Sequence, residues 1–198
     1  MAWPLLALLP FLLPACRQPL EALCSAPPAY AFDRSGATPV LIAEFHPGMV
    51  MRRARFEVFG DGRVAVTISN SGERGEVLAR HETRVSADRV EETLDHAVVS
   101  GLAAFDLRSV EADLRASGRF PVLPTDIGSV SLEFRFQSFQ PACGAELAPY
   151  SHSLVAMEPR AMARALPSIP EYQALYSLTL FFEECYRAAH PRRGEPGP

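Results

Sequence analysis

The chain contains no lysine. All 19 of its basic side chains are arginines, against 23 acidic side chains. Enzymes that form a Schiff base, that carry pyridoxal phosphate or that use a phosphate-binding P-loop need a lysine amine for their chemistry. The absence of lysine therefore excludes these three kinds of active site.

Short motifs that assemble a metal site or a nucleophile are also missing. The sequence has no His-Glu-x-x-His segment, no Cys-x-x-Cys pair and no Gly-x-Ser-x-Gly elbow. We therefore expect no cofactor and no bound metal, and the balance is against an enzyme. An enzyme stays an alternative if its site is assembled from distant residues, with His81, Glu44 and His46 as candidates.

Charge and composition set broader limits. The formal net charge of -4 gives no electrostatic reason to expect a nucleic acid as a partner. Hydrophobic residues make up 48% of the 198 positions and charged residues 21%, which is typical of a chain that buries a core. This length fits one domain with tails.

An uncharged, largely apolar segment opens the chain. Nothing from Met1 to Ala15 carries a charge, and the apolar part, residues 4–15, is shorter than the roughly 20 residues that a membrane-spanning helix needs. Its length is typical of the hydrophobic region of a secretory signal. We therefore expect residues 1–15 to be a signal peptide.

The end of this segment resembles the lipobox of bacterial lipoproteins. Leu13, Pro14, Ala15 and Cys16 follow its order of a leucine, two small or tolerated residues and a cysteine. The resemblance implies that Cys16 is acylated, becomes the new N-terminus and anchors the protein in the membrane. Arg17 stands where an aspartate would retain such a protein in the inner membrane, which implies the outer membrane. A soluble secreted or periplasmic protein is the alternative.

The remaining cysteines fit an oxidising compartment. Cys143 and Cys185 are too far apart in sequence for a paired metal-ligand motif, and we expect them to form a disulfide bond. Two buried free thiols are the alternative. Cys24 is left without a partner in this scheme.

Alternating side chains predict a sheet. Residues 40–45 form one expected strand, and residues 55–69 form the clearest hairpin, which turns at Gly60-Asp61-Gly62. Further strands are expected over 77–85, 129–136 and, with a weaker pattern, 151–157.

A helical spacing of apolar residues replaces this alternation in two places. Ser86 is the expected cap of a helix that stops at Gly101. Ser168 is the expected cap of the last helix, in which Pro170 fits the first turn. Four of its residues share one apolar face, namely Leu175, Leu178, Phe182 and Cys185. The order of elements predicts an α+β fold with a mostly antiparallel sheet of about four to five strands and helices packed on one face.

The composition divides the chain into a tether, a domain and a tail. Residues 16–38 are rich in proline, alanine and serine and predict a flexible tether. Residues 39–189 predict a single α+β domain, and residues 190–198 predict a disordered tail.

One segment of this domain combines apolar and basic side chains. Met49 and Met51 precede Arg52, Arg53 and Arg55 between the first two predicted strands. A loop of this composition can dock an acidic partner or a phosphate, and it is our candidate for an interaction surface.

These observations favour a non-catalytic binding or structural module of the cell envelope that binds another envelope protein. The layout is similar to that of small α+β domains in secreted bacterial lipoproteins, a resemblance that implies no active site. One alternative is a secreted, hydrolase-like enzyme. The other is a soluble inhibitor or partner-binding domain that recognises protein through a sheet edge or through the loop at 46–53.

Overall fold

Seven antiparallel strands form one sheet in the residues that the computed structural model describes, which are 28–46, 52–70, 75–123, 128–141 and 145–190. The strands are β1 (Tyr30–Ala31), β2 (Pro39–His46), β3 (Arg52–Phe59), β4 (Arg63–Asn70), β5 (Val77–Arg84), β6 (Ser129–Phe139) and β7 (Ala148–Met157). The helices are α1 (Ala87–Val99), α2 (Leu107–Ala116), α3 (Pro159–Ala165) and α4 (Pro170–Ala189).

The strands from β2 to β5 follow one another as a meander. After α1 and α2 the chain returns as β6 to pair with β2, and β7 pairs with the other side of β6. The short β1 pairs with the end of β6 at Ser138 and Phe139. The long outer strands of the described sheet are therefore β5 and β7, whereas the two-residue β1 lies on the same side of β6 as β2.

One face of the sheet is apolar and packs against the helices. Leu132, Ala43, Phe56 and Val66 lie side by side on neighbouring strands, and all four are buried. The Phe56 ring lies 5.1 Å from the ring of Phe182 on α4. Burial of large apolar side chains of this kind contributes about 1.5–3 kcal/mol each. The expected α+β fold with an antiparallel sheet is confirmed.

The expected count of four to five strands is wrong, because two strands lack a clear signal. The segment of β1 is two residues long and lies in a stretch rich in proline and alanine. Serines alternate with mixed side chains along β7, so its inward face is not obvious from the sequence. Both strands are held by pairing with β6 rather than by a pattern of their own.

The tether prediction is wrong for the described residues before β2. Phe32 is buried, and the Tyr30 hydroxyl donates a hydrogen bond to Asp95 of α1 at 2.5 Å. The Asp33 carboxylate accepts hydrogen bonds from the backbone and hydroxyl groups of both Ser35 and Thr38, which holds its pKa well below the usual range. These residues are part of the domain because aromatic burial and this turn fix them.

The predicted helix starts have mixed outcomes. Ser86 caps α1, since its side chain accepts a hydrogen bond from the Arg89 backbone N–H at 3.1 Å. Ser168 does not cap α4, because the helix begins after Ile169, with Pro170 in the first turn as expected. The predicted apolar face of α4 is buried. None of the helices in the described ranges is long and apolar enough to cross a membrane.

Cys185 lies on the buried face of α4, and burial raises the pKa of its thiol to about 12. Helix α4 contacts β4 and β5, whereas Gln140 and Ala145, which flank the segment of Cys143, lie beyond the ends of β6 and β7. Cys143 itself is outside the described residues. Its pairing with Cys185 stays a prediction.

The Gly60-Asp61-Gly62 turn joins β3 to β4 as expected, and it also holds the end of β5. The Val85 backbone N–H donates a hydrogen bond to the Gly62 carbonyl at 2.9 Å. Gly62 has a φ of +88°, and a Cβ on it would lie 2.2 Å from the Val85 carbonyl oxygen. Only glycine fits this position without strain.

Replacing Gly62 by alanine therefore tests whether the turn holds the end of β5. We expect Gly62→Ala to lower the free energy of unfolding by about 3 kcal/mol, because left-handed strain adds to the clash with Val85. Gly118→Ala is the matched control, since Gly118 has a φ of +67° but open space around its Cβ. Urea denaturation should give a loss of only about 1 kcal/mol for the control. Equal losses in the two variants would contradict this role of the turn.

Candidate functional site

Polar side chains cover the face of the sheet opposite α4. The side chains of β3, β4 and β5 alternate between the two faces, so residues next to a buried position point outward. On this outer face β3 carries Arg55 and Glu57, and β5 carries Arg80 and Glu82.

A shallow cavity of about 600 Å³ lies along β4 on this face. Its floor is low because the outward side chains of β4 there are the small Ala65 and Thr67. Its walls are the longer side chains of the flanking strands, namely Arg55, Glu57, Arg80 and Glu82. We call these six residues the β4 trough.

The strand register sorts the charges of the β4 trough into two rows of opposite sign. Arg55, Thr67 and Arg80 lie directly side by side, and the two arginine backbones are about 10 Å apart across two strand spacings. Glu57, Ala65 and Glu82 form the next row, about 7 Å further along the strands.

The two rows suit two different groups. An anionic group above Thr67 would meet an arginine on each side and a hydroxyl below. A cationic group above Ala65 would meet a glutamate on each side. The trough is thus complementary to a surface that carries an acid and a base about 7 Å apart.

The internal ion pairs of the trough are weak enough to be replaced. A guanidinium nitrogen of Arg55 lies 3.0 Å from a Glu57 carboxylate oxygen, with both side chains at least a third exposed. Arg63 and Glu82 approach to only 4.0 Å. Arg80 forms no ion pair with any residue that the structure describes. Exposed pairs of this kind contribute about 0–1 kcal/mol each, so a partner can replace them at little cost.

Further ion pairs lie beside the trough, on β6 and between β2 and β3. Arg135 donates a hydrogen bond to Glu133 at 2.7 Å, and this contact holds the pKa of the Glu133 carboxyl below its usual value. Glu44 lies 3.8 Å from a guanidinium nitrogen of Arg53. These carboxylates are already engaged, whereas Arg80 is available for a ligand.

The predicted interaction loop is only partly a loop. Arg52, Arg53 and Arg55 belong to strand β3, where alternation places Arg53 and Arg55 on the outer face and Arg52 on the other. Met49 and Met51 lie outside the described residues. Of the predicted set, Arg55 alone lines the trough.

Only two of the three candidates for a dispersed catalytic site come together. Glu44 and His46 share the outer face of β2, with 3.6 Å between a carboxylate oxygen and the ring Nε2. His81 pairs with Val66 on the helix-facing side of the sheet, and its ring lies 4.0 Å from that of His190. The prediction that these three residues form one site is wrong, because the sheet separates them.

Within the ranges covered by the structure, no group of three or more histidine, cysteine, aspartate or glutamate side chains is placed to hold a metal ion.

Four residues of the trough were not indicated by the sequence, namely Ala65, Thr67, Arg80 and Glu82. The sequence feature that could have indicated them is the pair of small outward residues on β4, between two strands whose outward residues are charged. Its meaning depends on the register, which the sequence does not show.

Comparison with known proteins gives no match from which a function could be taken. No protein-family model matches the chain, and no curated protein is significantly similar to it.

Proposed function

We propose that this protein is a non-catalytic binding module of the bacterial cell envelope, anchored by a lipid on Cys16, whose β4 trough docks a partner protein. The main support for docking is the presence of two neighbouring rows of opposite charge, Arg55–Thr67–Arg80 and Glu57–Ala65–Glu82. The anchor is supported by the lipobox-like sequence that ends at Cys16.

A protein is the partner that fits the trough best. The spacing of about 7 Å between the two rows equals the distance between residues i and i+2 of an extended chain. A partner strand with an acidic and a basic residue at such positions would meet both rows at once. The trough is also open and shallow, and such a surface is accessible to the side chains of another protein.

Metabolic labelling with a fatty acid tests the anchor. We expect the full chain, expressed in bacteria, to incorporate the label, and Cys16→Ala to abolish it, because the thiol is the acceptor of the lipid. Cys24→Ala is the matched control and should keep the label, since Cys24 lies outside the lipobox-like segment. An unlabelled wild type, or label that survives Cys16→Ala, would show that the anchor is wrong.

Site-specific photocrosslinking in the producing cells tests the trough. A photoreactive amino acid in place of Thr67, on the trough floor, should give a discrete crosslinked species of higher mass. The same amino acid in place of the exposed Ala116 on α2 should give none.

Charge reversal identifies the contact that makes the crosslink. Arg80→Glu should reduce the Thr67 crosslink at least tenfold, because it reverses the charge of the row that receives an acidic group. Arg160→Glu, the same change on the exposed surface of α3, should leave it unchanged. A Thr67 crosslink that is equally strong with Arg80→Glu and with Arg160→Glu, or that does not form before either change is made, would contradict docking in the trough.

A further inference from the structure

The two outer strands of the described sheet differ in how they are protected. Edge strands tend to carry charged side chains, which discourage pairing with another chain. β5 follows this rule with three exposed charged residues, Arg80, Glu82 and Arg84. β7 has the sequence APYSHSLVAM, with ten residues and no Asp, Glu, Lys or Arg.

The outer edge of β7 is open to another strand. In the described part of the chain β7 pairs with β6 only, so its outer row of N–H and C=O groups has no strand partner. Val155 near its end is 58% exposed although it is apolar. A long, uncharged edge with an exposed apolar side chain is a ready template for strand addition.

A groove of about 310 Å³ runs beside this edge. Four successive residues of β7, His152–Val155, line it, whereas its described lining includes no residue of β6, which places the groove at the outer side of β7. The other wall is Phe105–Arg108 at the start of α2. The His152 ring Nε2 lies 3.1 Å from the Phe105 carbonyl oxygen and ties this wall to the strand.

The groove has an apolar lining and one available charge. Phe105, Leu107 and Leu154 are buried and line it. The Asp106 carboxylate is engaged, since it accepts the hydrogen bond of the Ser109 backbone N–H at 3.1 Å. Arg108 is exposed and forms no ion pair with any described residue. An apolar side chain and a neighbouring acidic group would complete the groove.

We infer that the outer edge of β7 is a second docking site, which takes an extended segment of a partner protein as an additional strand. The segment places an apolar side chain between Phe105 and Leu154 and an acidic side chain beside Arg108. A second copy of β7 fits less well, because it has no acidic residue to offer Arg108. This site goes beyond the proposed function and does not depend on the β4 trough.

Selection from a phage-displayed library of random nine-residue peptides tests the inference. The target is the full-length expressed protein, purified in detergent. We expect enriched peptides with alternating apolar residues and an aspartate or glutamate. Their affinity, measured by fluorescence anisotropy, should fall at least tenfold in Ser153→Lys, which adds a charge to the edge, and in Arg108→Glu, which repels the acidic residue.

Control substitutions separate this site from general surface effects. Ser177→Lys on α4 and Arg160→Glu on α3 make the same chemical changes at exposed positions elsewhere and should not alter the affinity. Ser153 lies opposite Glu133 of β6, so a lysine at position 153 would have an acidic neighbour and the fold should tolerate it.

Hydrogen exchange on the wild type gives a readout that needs no substitution. Bound peptide should slow the exchange of β7 amides at least tenfold and leave β5 amides unchanged, because strand addition pairs the outer N–H groups. The absence of enriched peptides, binding that survives both Ser153→Lys and Arg108→Glu, or protection at β5 instead of β7 would overturn the inference. A dimer that forms without peptide and is lost in Ser153→Lys would assign the edge to a second copy and would also overturn it.

Discussion

The alternation of side chains across one antiparallel sheet is the constraint on which the rest of the structure depends. Val64, Val66 and Ile68 of β4 are buried on the helix-facing side, so Ala65 and Thr67 must face outward. A shift of register by one residue would exchange these two sets, which would expose the core and bury the charges. The turn at Gly62, bonded to the chain after β5, helps to fix that register. Core and outer face are therefore two consequences of the same pairing.

The two proposed docking sites use different parts of this sheet. The β4 trough presents charged side chains on a face and selects a partner by the order of its charges. The edge of β7 presents backbone groups, with an apolar groove and Arg108 beside them. A face of paired charges discriminates between partners, whereas a strand edge supplies many hydrogen bonds of low specificity. A partner could use either site alone, since they lie on opposite sides of β2.

Patterns within a single element were readable from the sequence. The hairpin turn at Gly60-Asp61-Gly62, the Ser86 cap and the apolar face of α4 each depend on spacings of a few residues, and the structure has all three. The sequence did not show which residues of different strands lie next to each other. Arg80 became a neighbour of Thr67 through the β4–β5 register, which includes an irregularity between Ile68 and Ser69. The pairing of the strands also places His81 on the opposite face of the sheet from Glu44 and His46, although the sequence alone made all three candidates for one site.

We propose that a partner in the cell envelope covers the outer face of β3 to β5. Because the chain has no lysine, phenylglyoxal will modify its basic side chains only at arginines, and the rate at each one can be followed by mass spectrometry. Membranes that contain the protein should be compared with the purified protein, with the exposed Arg160 as the reference. We expect Arg55 and Arg80 to react several-fold more slowly in the membranes, and Arg160 to react equally in both preparations. Equal rates at Arg55 and Arg80 in the two preparations would contradict it.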